Sequence, residues 1–65
     1  MSMELVAHLS HLLASFQKKN YSSDTQMKII NHMVKYELQE KTPEVIKIVE
    51  ASATEEEALQ KILEM

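Results

Sequence analysis

The absence of glycine is the feature that most limits what this chain can fold into. None of its 65 residues is glycine, and Pro43 is its single proline. Glycine supplies the left-handed backbone positions of tight hairpins and β-bulges. A chain without it is built more readily from helices joined by polar linkers. The composition therefore predicts an all-α fold, a compact bundle of three to four short helices.

The length of the chain predicts one small helical domain, residues 1–65. A chain of this size buries only about 60% of the surface that its unfolded form exposes. Small domains often compensate with disulfides or metals. Cysteine is absent, so disulfides and thiolate zinc sites are excluded. The fold must then be stabilised by tight helix packing or by self-association.

The charge and the hydropathy of the chain predict that its partner is neither a nucleic acid nor a membrane. The net charge is −3, and lysine and glutamate are interleaved, so we expect no nucleic-acid surface, which would need a basic stripe. No run approaches the ~18 apolar residues of a membrane span, and we expect no membrane insertion. The N-terminal stretch lacks the basic region and cleavage site of a signal peptide. The expected location is the cytoplasm.

The first helix is predicted by apolar periodicity. Leu5, Leu9, Leu12 and Phe16 recur at spacings of four, three and four, which is typical of an amphipathic helix over about residues 3–18. The Lys18-Lys19-Asn20 sequence suits a helix C-terminus, where cations and a left-handed asparagine are favoured.

Three further helices are predicted from capping signals. Ser23 and Gln26 have capping-box spacing and begin a helix over about residues 23–40. Pro43 follows a threonine and precedes an acid, which indicates a helix over about 43–52. Thr54 and Glu57 form a second capping box, which begins a helix over about 54–65.

A β-hairpin over residues 34–49 is the alternative. Residues 34–39 also alternate with period two, and residues 45–49 are rich in β-branched side chains. Glu37 projects near the middle of the apolar face of the second helix, which is unfavourable unless the carboxylate reaches solvent or a partner. The proline in the first turn after Thr42 favours the helix.

A short predicted helix begins near Pro43, and the last predicted helix contains the adjacent apolar residues Ile62 and Leu63. With these features, residues 27–65 resemble the UBA-like ubiquitin-binding domains, and the CUE domain most closely. Pro43-Glu44-Val45-Ile46 corresponds to the short second helix of that family, which begins near a proline. Ile62-Leu63 stands in the place of the two adjacent leucines of its last helix, and Leu38 lies near the position of its Met-Phe-Pro motif. The resemblance implies a three-helix fold and makes ubiquitin one possible partner.

Candidate catalytic and metal-binding residues are few. His8 and His11 are spaced i, i+3, and His32 is a possible third ligand, but no fourth ligand is evident for a tetrahedral site. We interpret all three as surface histidines. No serine is marked as a nucleophile by an accompanying base and acid. We therefore expect no enzymatic activity, cofactor or metal.

The sequence carries more apolar side chains than so small a body can cover, and a contiguous exposed patch usually marks an interface. The predicted function is a non-enzymatic protein–protein interaction module that also forms a homodimer through its first helix, centred on Leu9 and Leu12. The alternative is a small regulatory inhibitor or antitoxin-like factor that blocks an enzyme or a DNA-binding protein. The predicted interface residues are Leu5, Leu9, Leu12, Phe16, Leu38, Ile62 and Leu63.

Overall fold

The computed structural model describes the backbone of residues 3–65 and the side chains of residues 7–65. Over this range the chain forms α-helices and one 3₁₀ turn, without a strand. The helices are α1 (Met3–Lys18), α2 (Ser23–Lys35), α3 (Thr42–Ala51) and α4 (Glu55–Leu63), and the 3₁₀ turn is Gln39–Lys41. The predicted all-α class is confirmed, and the β-hairpin alternative for residues 34–49 is wrong.

The C-terminus of α1 has the geometry expected from the sequence. Asn20 adopts a left-handed conformation with φ of 57°. The Tyr21 N–H donates to the Phe16 carbonyl at 3.0 Å, and the Asn20 N–H donates to the Gln17 carbonyl at 3.1 Å. These are the two hydrogen bonds of a Schellman motif. The Phe16 and Tyr21 rings stack with centroids 5.6 Å apart, which adds the apolar contact that accompanies such motifs.

The second helix ends earlier than predicted, at Lys35 and not near residue 40. Glu37 is left-handed, with φ of 53°. The Leu38 N–H donates to the Met33 carbonyl at 2.7 Å, and the Glu37 N–H donates to the Val34 carbonyl at 3.3 Å. This is again a Schellman pattern, with glutamate at the position where glycine is usual. Glu37, whose carboxylate was predicted to lie on the apolar face of this helix, is therefore the residue that ends the helix.

Replacement of Glu37 by glycine should stabilise the fold. A left-handed conformation costs a residue with a Cβ about 1–2 kcal/mol, and part of the gain is offset by the greater freedom of glycine in the unfolded chain. We expect the free energy of unfolding to rise by about 0.5–1 kcal/mol in urea denaturation. The control is Lys35→Gly in the last turn of α2, which should lower it by a similar amount. Destabilisation by Glu37→Gly would contradict the left-handed assignment.

The N-terminus of α2 is fixed by a contact with α4. The cap is Ser22 and not the predicted Ser23, because the Ser22 Oγ accepts from the Thr25 N–H at 3.3 Å. The Glu55 carboxylate accepts from the Ser22 N–H at 2.9 Å and from the Ser22 and Thr25 hydroxyls, each at 3.1 Å. The hydrogen bond from the Ser22 backbone is the main cause that lowers the pKa of Glu55. The first turns of α2 and α4 are therefore joined.

The starts of α4 and α3 differ in how closely they follow prediction. Thr54 caps α4 as expected, since its Oγ1 accepts from the Glu57 N–H at 3.1 Å. The Glu57 carboxylate accepts from the Ala53 N–H at 2.7 Å, which is the main cause that lowers the pKa of Glu57. Thr42 is already the first residue of α3, and its hydroxyl donates back to the Gln39 carbonyl at 2.5 Å.

The packing order of the helices differs from their order in the chain. Helix α3 packs against both α1 and α4, and α4 packs against α2, whereas α1 and α2 make little contact with each other. Each helix contributes side chains to one core, which contains Leu12, Phe16, Tyr21, Ile29, Met33, Val45, Val49, Ala58 and Ile62. Over the described residues, α1 and α2 are therefore held in place mainly through α3 and α4.

Candidate docking groove

An apolar groove lies where α1 and α2 fail to pack against each other. It has a volume of about 660 Å³. One wall comes from α1 and the other from α2, and the segment that leads into α3 also contributes to the lining. The lining residues are Leu9, Ser10, Leu13, Ile30, Met33, Val34, Glu37, Gln39, Glu40 and Thr42.

The two walls present apolar side chains to solvent. Leu9 is 46% exposed and Leu13 is 40% exposed, and their spacing of four places both on one face of α1. Val34 is 60% exposed on α2, and Ile30, one turn earlier, is half-buried against the core. Met33 is buried and connects the groove to the core. The result is a contiguous apolar surface and not a set of isolated exposed residues.

Acidic and polar groups line the end of the groove beyond the C-terminus of α2. Glu37 and Glu40 are both exposed there, and no lysine, arginine or histidine is among the lining residues. Among the side chains of residues 7–65, neither carboxylate has a cation within 4.0 Å. The Lys35 ammonium lies over the Tyr36 ring, 5.4 Å from its centroid, and Lys41 pairs with a glutamate of α3. The groove therefore joins an apolar surface to a negative end.

The residues predicted from the sequence as an interface are separated by the fold. Leu9 lines the groove, while Leu63 is 47% exposed on α4, outside the groove lining. Leu38 is partly buried and packs against the core. The side chain of Leu5 lies outside the described residues. Three positions are corrected, because their side chains are 0% exposed in the core and cannot meet a partner unless the fold opens: Leu12, Phe16 and Ile62.

The groove contains residues that periodicity did not place on a common surface. Leu13 and Val34 were not among the interface residues predicted from the sequence. An apolar residue at helical spacing is compatible with burial or with exposure. The signal that could have identified them is the surplus of apolar side chains, because it requires some of the stripe edges to stay accessible.

The histidines do not assemble a metal site in the described part of the chain. No group of three or more His, Cys, Asp or Glu residues there lies close enough to share an ion. His11 lines a shallower cavity of about 320 Å³ between α1 and α3, together with Glu50. The His32 ring lies 4.8 Å from the Tyr36 ring, and its buried Nε2 has no hydrogen-bond partner among the described residues.

Comparison of the chain with protein-family models, curated proteins and solved structures found no match. The resemblance of residues 27–65 to UBA-like and CUE domains therefore stays a prediction. Helices α2, α3 and α4 do follow one another in that segment. No helix in the described range is long and apolar enough to cross a membrane.

Proposed function

We propose that the protein is a non-enzymatic interaction module that docks another protein in the groove between α1 and α2. The observation that carries the proposal is the clustering of exposed Leu9, Leu13 and Val34 on the walls of one concavity. Contiguous exposed apolar surface on a small protein usually marks an interaction site. An apolar groove that receives a segment of another protein is a recurring form of such sites.

The energetics of burial favour an occupied groove. Full burial of a leucine or valine side chain contributes about 1.5–3 kcal/mol, so covering the exposed half of each wall residue contributes roughly 1 kcal/mol. Side chains on neighbouring turns of a helix can act together in one contact, and Leu9 and Leu13 have that spacing. A partner that covers both walls gains several such contributions at once, before the costs of association.

The left-handed conformation of Glu37 affects the shape of the groove. The same conformation ends α1 at Asn20, so by itself it marks a helix end. At Glu37 it turns the chain sharply after α2 and places this residue on the groove lining. A longer α2, as the sequence predicted, would not turn the chain at this point.

In one form of this proposal, the docked protein is a second copy of the chain, and the two copies form a homodimer. The sequence predicted a dimer centred on Leu9 and Leu12, but Leu12 is buried in the core. A dimer through this face would instead use Leu9, Leu13 and Val34. Sedimentation at micromolar concentration distinguishes a stable dimer from a monomer with an open groove.

Affinity capture from the native organism tests the proposal with a matched pair of variants. Val34→Glu introduces a charge on the groove wall, and Met27→Glu introduces the same charge on α2 at a residue that is 56% exposed and outside the groove lining. We expect one protein to be recovered in stoichiometric amount with the wild type and with Met27→Glu. We expect Val34→Glu to reduce its recovery at least tenfold, since a carboxylate would be buried in an apolar contact.

Circular dichroism should show that both variants keep their helical content. Equal recovery by Val34→Glu and the wild type would contradict docking in the groove. Recovery of a ubiquitin-bearing species that is lost with Leu63→Glu, and not with Val34→Glu, would instead place the contact on α4, as the UBA-like resemblance implies.

A further inference from the structure

We infer that the occupant of the groove is an amphipathic α-helix of the partner, with lysine or arginine side chains at one end of its apolar face. This inference rests on the proposed function, because it specifies the chemistry of the segment that the groove receives. Its two components are the shape of the groove and the charge at one end, and each depends on a different set of lining residues.

The shape of the groove matches a helix better than an extended peptide. Its walls are two helices that α3 and α4 hold apart, so a helix inserted between them would complete the side of the bundle where α1 and α2 do not pack. Leu9 and Leu13 on one wall, and Ile30 and Val34 on the other, form ridges at i, i+4 spacing. Ridges with this spacing pack against the side-chain rows of another helix.

Other common modes of peptide recognition lack their required features here. Polyproline segments dock on aromatic side chains, and no phenylalanine, tyrosine or tryptophan lines the groove. Strand addition needs an exposed sheet edge, and residues 3–65 form no strand. Phosphorylated or acidic motifs need a cluster of cations, whereas the charged lining residues are Glu37 and Glu40. A helix in an apolar groove is the mode that the lining residues fit.

The negative charge at one end of the groove indicates that the incoming helix carries basic side chains at the matching end. Glu37 and Glu40 both lie beyond the C-terminus of α2, so negative charge is concentrated at one end while the walls are apolar. A basic segment would complement these carboxylates, and an acidic segment would be repelled. A second copy of this chain carries the same net charge of −3, which makes it a poorer electrostatic match than a basic partner.

Binding of designed helical peptides tests both components. The first peptide is short, capped at both termini, and carries leucine at i, i+3, i+4 and i+7 with lysines at one end of the apolar face. The second replaces each lysine by glutamate, and the third has the composition of the first in an order that breaks its periodicity. Titration calorimetry measures affinity, and amide chemical shifts of the isotope-labelled full chain identify the residues that change.

We expect the lysine peptide to bind most tightly, with the largest shift changes at residues 9–13 and 30–37. The double variant Glu37→Gln/Glu40→Gln should weaken its binding about threefold to tenfold, because two exposed ion pairs are lost. The matched control is Glu50→Gln/Glu64→Gln, which changes the net charge equally at residues outside the groove lining. The control should bind with wild-type affinity.

Each contrary result rules out one part of the inference, either the basic charge of the occupant or its helical form, or the inference as a whole. Equal binding of the glutamate peptide, or equal weakening by both double variants, overturns the inferred charge. Equal binding of the aperiodic peptide overturns the helical occupant. Absence of shift changes in the groove with every peptide overturns the inference, while Val34-dependent capture of a native partner would leave the proposed function intact. A stable dimer that buries Leu9 and Val34 would also overturn it, because the occupant would then be a second copy.

Discussion

The Ile62→Glu variant is expected to be unfolded at room temperature, whereas Leu63→Glu folds normally. Ile62 is 0% exposed in the core, and Leu63 beside it is 47% exposed. The substitution removes the burial of a large aliphatic side chain and places an unpaired carboxylate in an apolar environment, at a combined cost of about 4 kcal/mol or more. A domain of this size has a free energy of unfolding of roughly 3–10 kcal/mol, and small cores lie at the lower end.

Far-UV circular dichroism and urea denaturation of the two variants measure this difference. The Leu63→Glu variant should retain the wild-type spectrum and change the free energy of unfolding by about 0.5 kcal/mol or less. A folded Ile62→Glu variant would show that this side chain is accessible. The sequence-based assignment of Ile62 to an interface would then be restored.

The Leu12→Ala variant should lose about 2–5 kcal/mol of stability, and Leu13→Ala should lose less than about 1 kcal/mol. Leu12 is fully enclosed, so its truncation leaves a cavity that the surrounding side chains fill only in part. Leu13 is 40% exposed on the groove wall, where water can occupy the vacated space. The two residues are adjacent in one helix, so helix propensity changes equally in both variants.

Urea denaturation followed by circular dichroism gives both values. A larger loss for Leu13→Ala than for Leu12→Ala would mean that α1 is rotated relative to the arrangement in the structure. The groove would then be lined by different residues of this helix. Similar small losses in both variants would contradict the enclosure of Leu12 in the core.

Local signals predicted a large part of the secondary structure. The bounds of α1 agree with the periodicity of its leucines, and the left-handed Asn20 and the Thr54 cap were both expected from residue type. These features depend on hydrogen bonds and side chains within a few residues of one another. Information of this kind is present in a short window of sequence.

The N-terminal cap of α2 depends on a contact that a local pattern does not contain. Ser22 and Ser23 are equivalent candidates by type, and the Glu55 carboxylate from α4 bonds to Ser22 across a separation of 33 residues. Glu37 adopts a conformation that propensity assigns to glycine. Its disagreement with the helical face was visible in the sequence, but the resolution of that conflict required the three-dimensional fold.

The groove is the feature that could be predicted least well from the sequence. Periodicity places Leu9, Leu12 and Leu13 on or beside one stripe without showing which part of the stripe α3 covers. The structure shows that Leu12 faces the core while Leu9 and Leu13 face the groove. That division follows from the packing order, in which α1 packs mainly against α3 and makes few contacts with α2 over the described residues. No local pattern in the sequence specifies that order.

Chemical-shift mapping of the isotope-labelled protein with its captured native partner tests most directly whether the groove is the docking surface. We predict that the largest amide changes occur at Leu9, Leu13, Val34 and Glu37 on the walls and acidic end of the groove. The amides around Leu63 on α4 should change little. Changes centred on Leu63, with the groove amides unaltered, would contradict docking between α1 and α2.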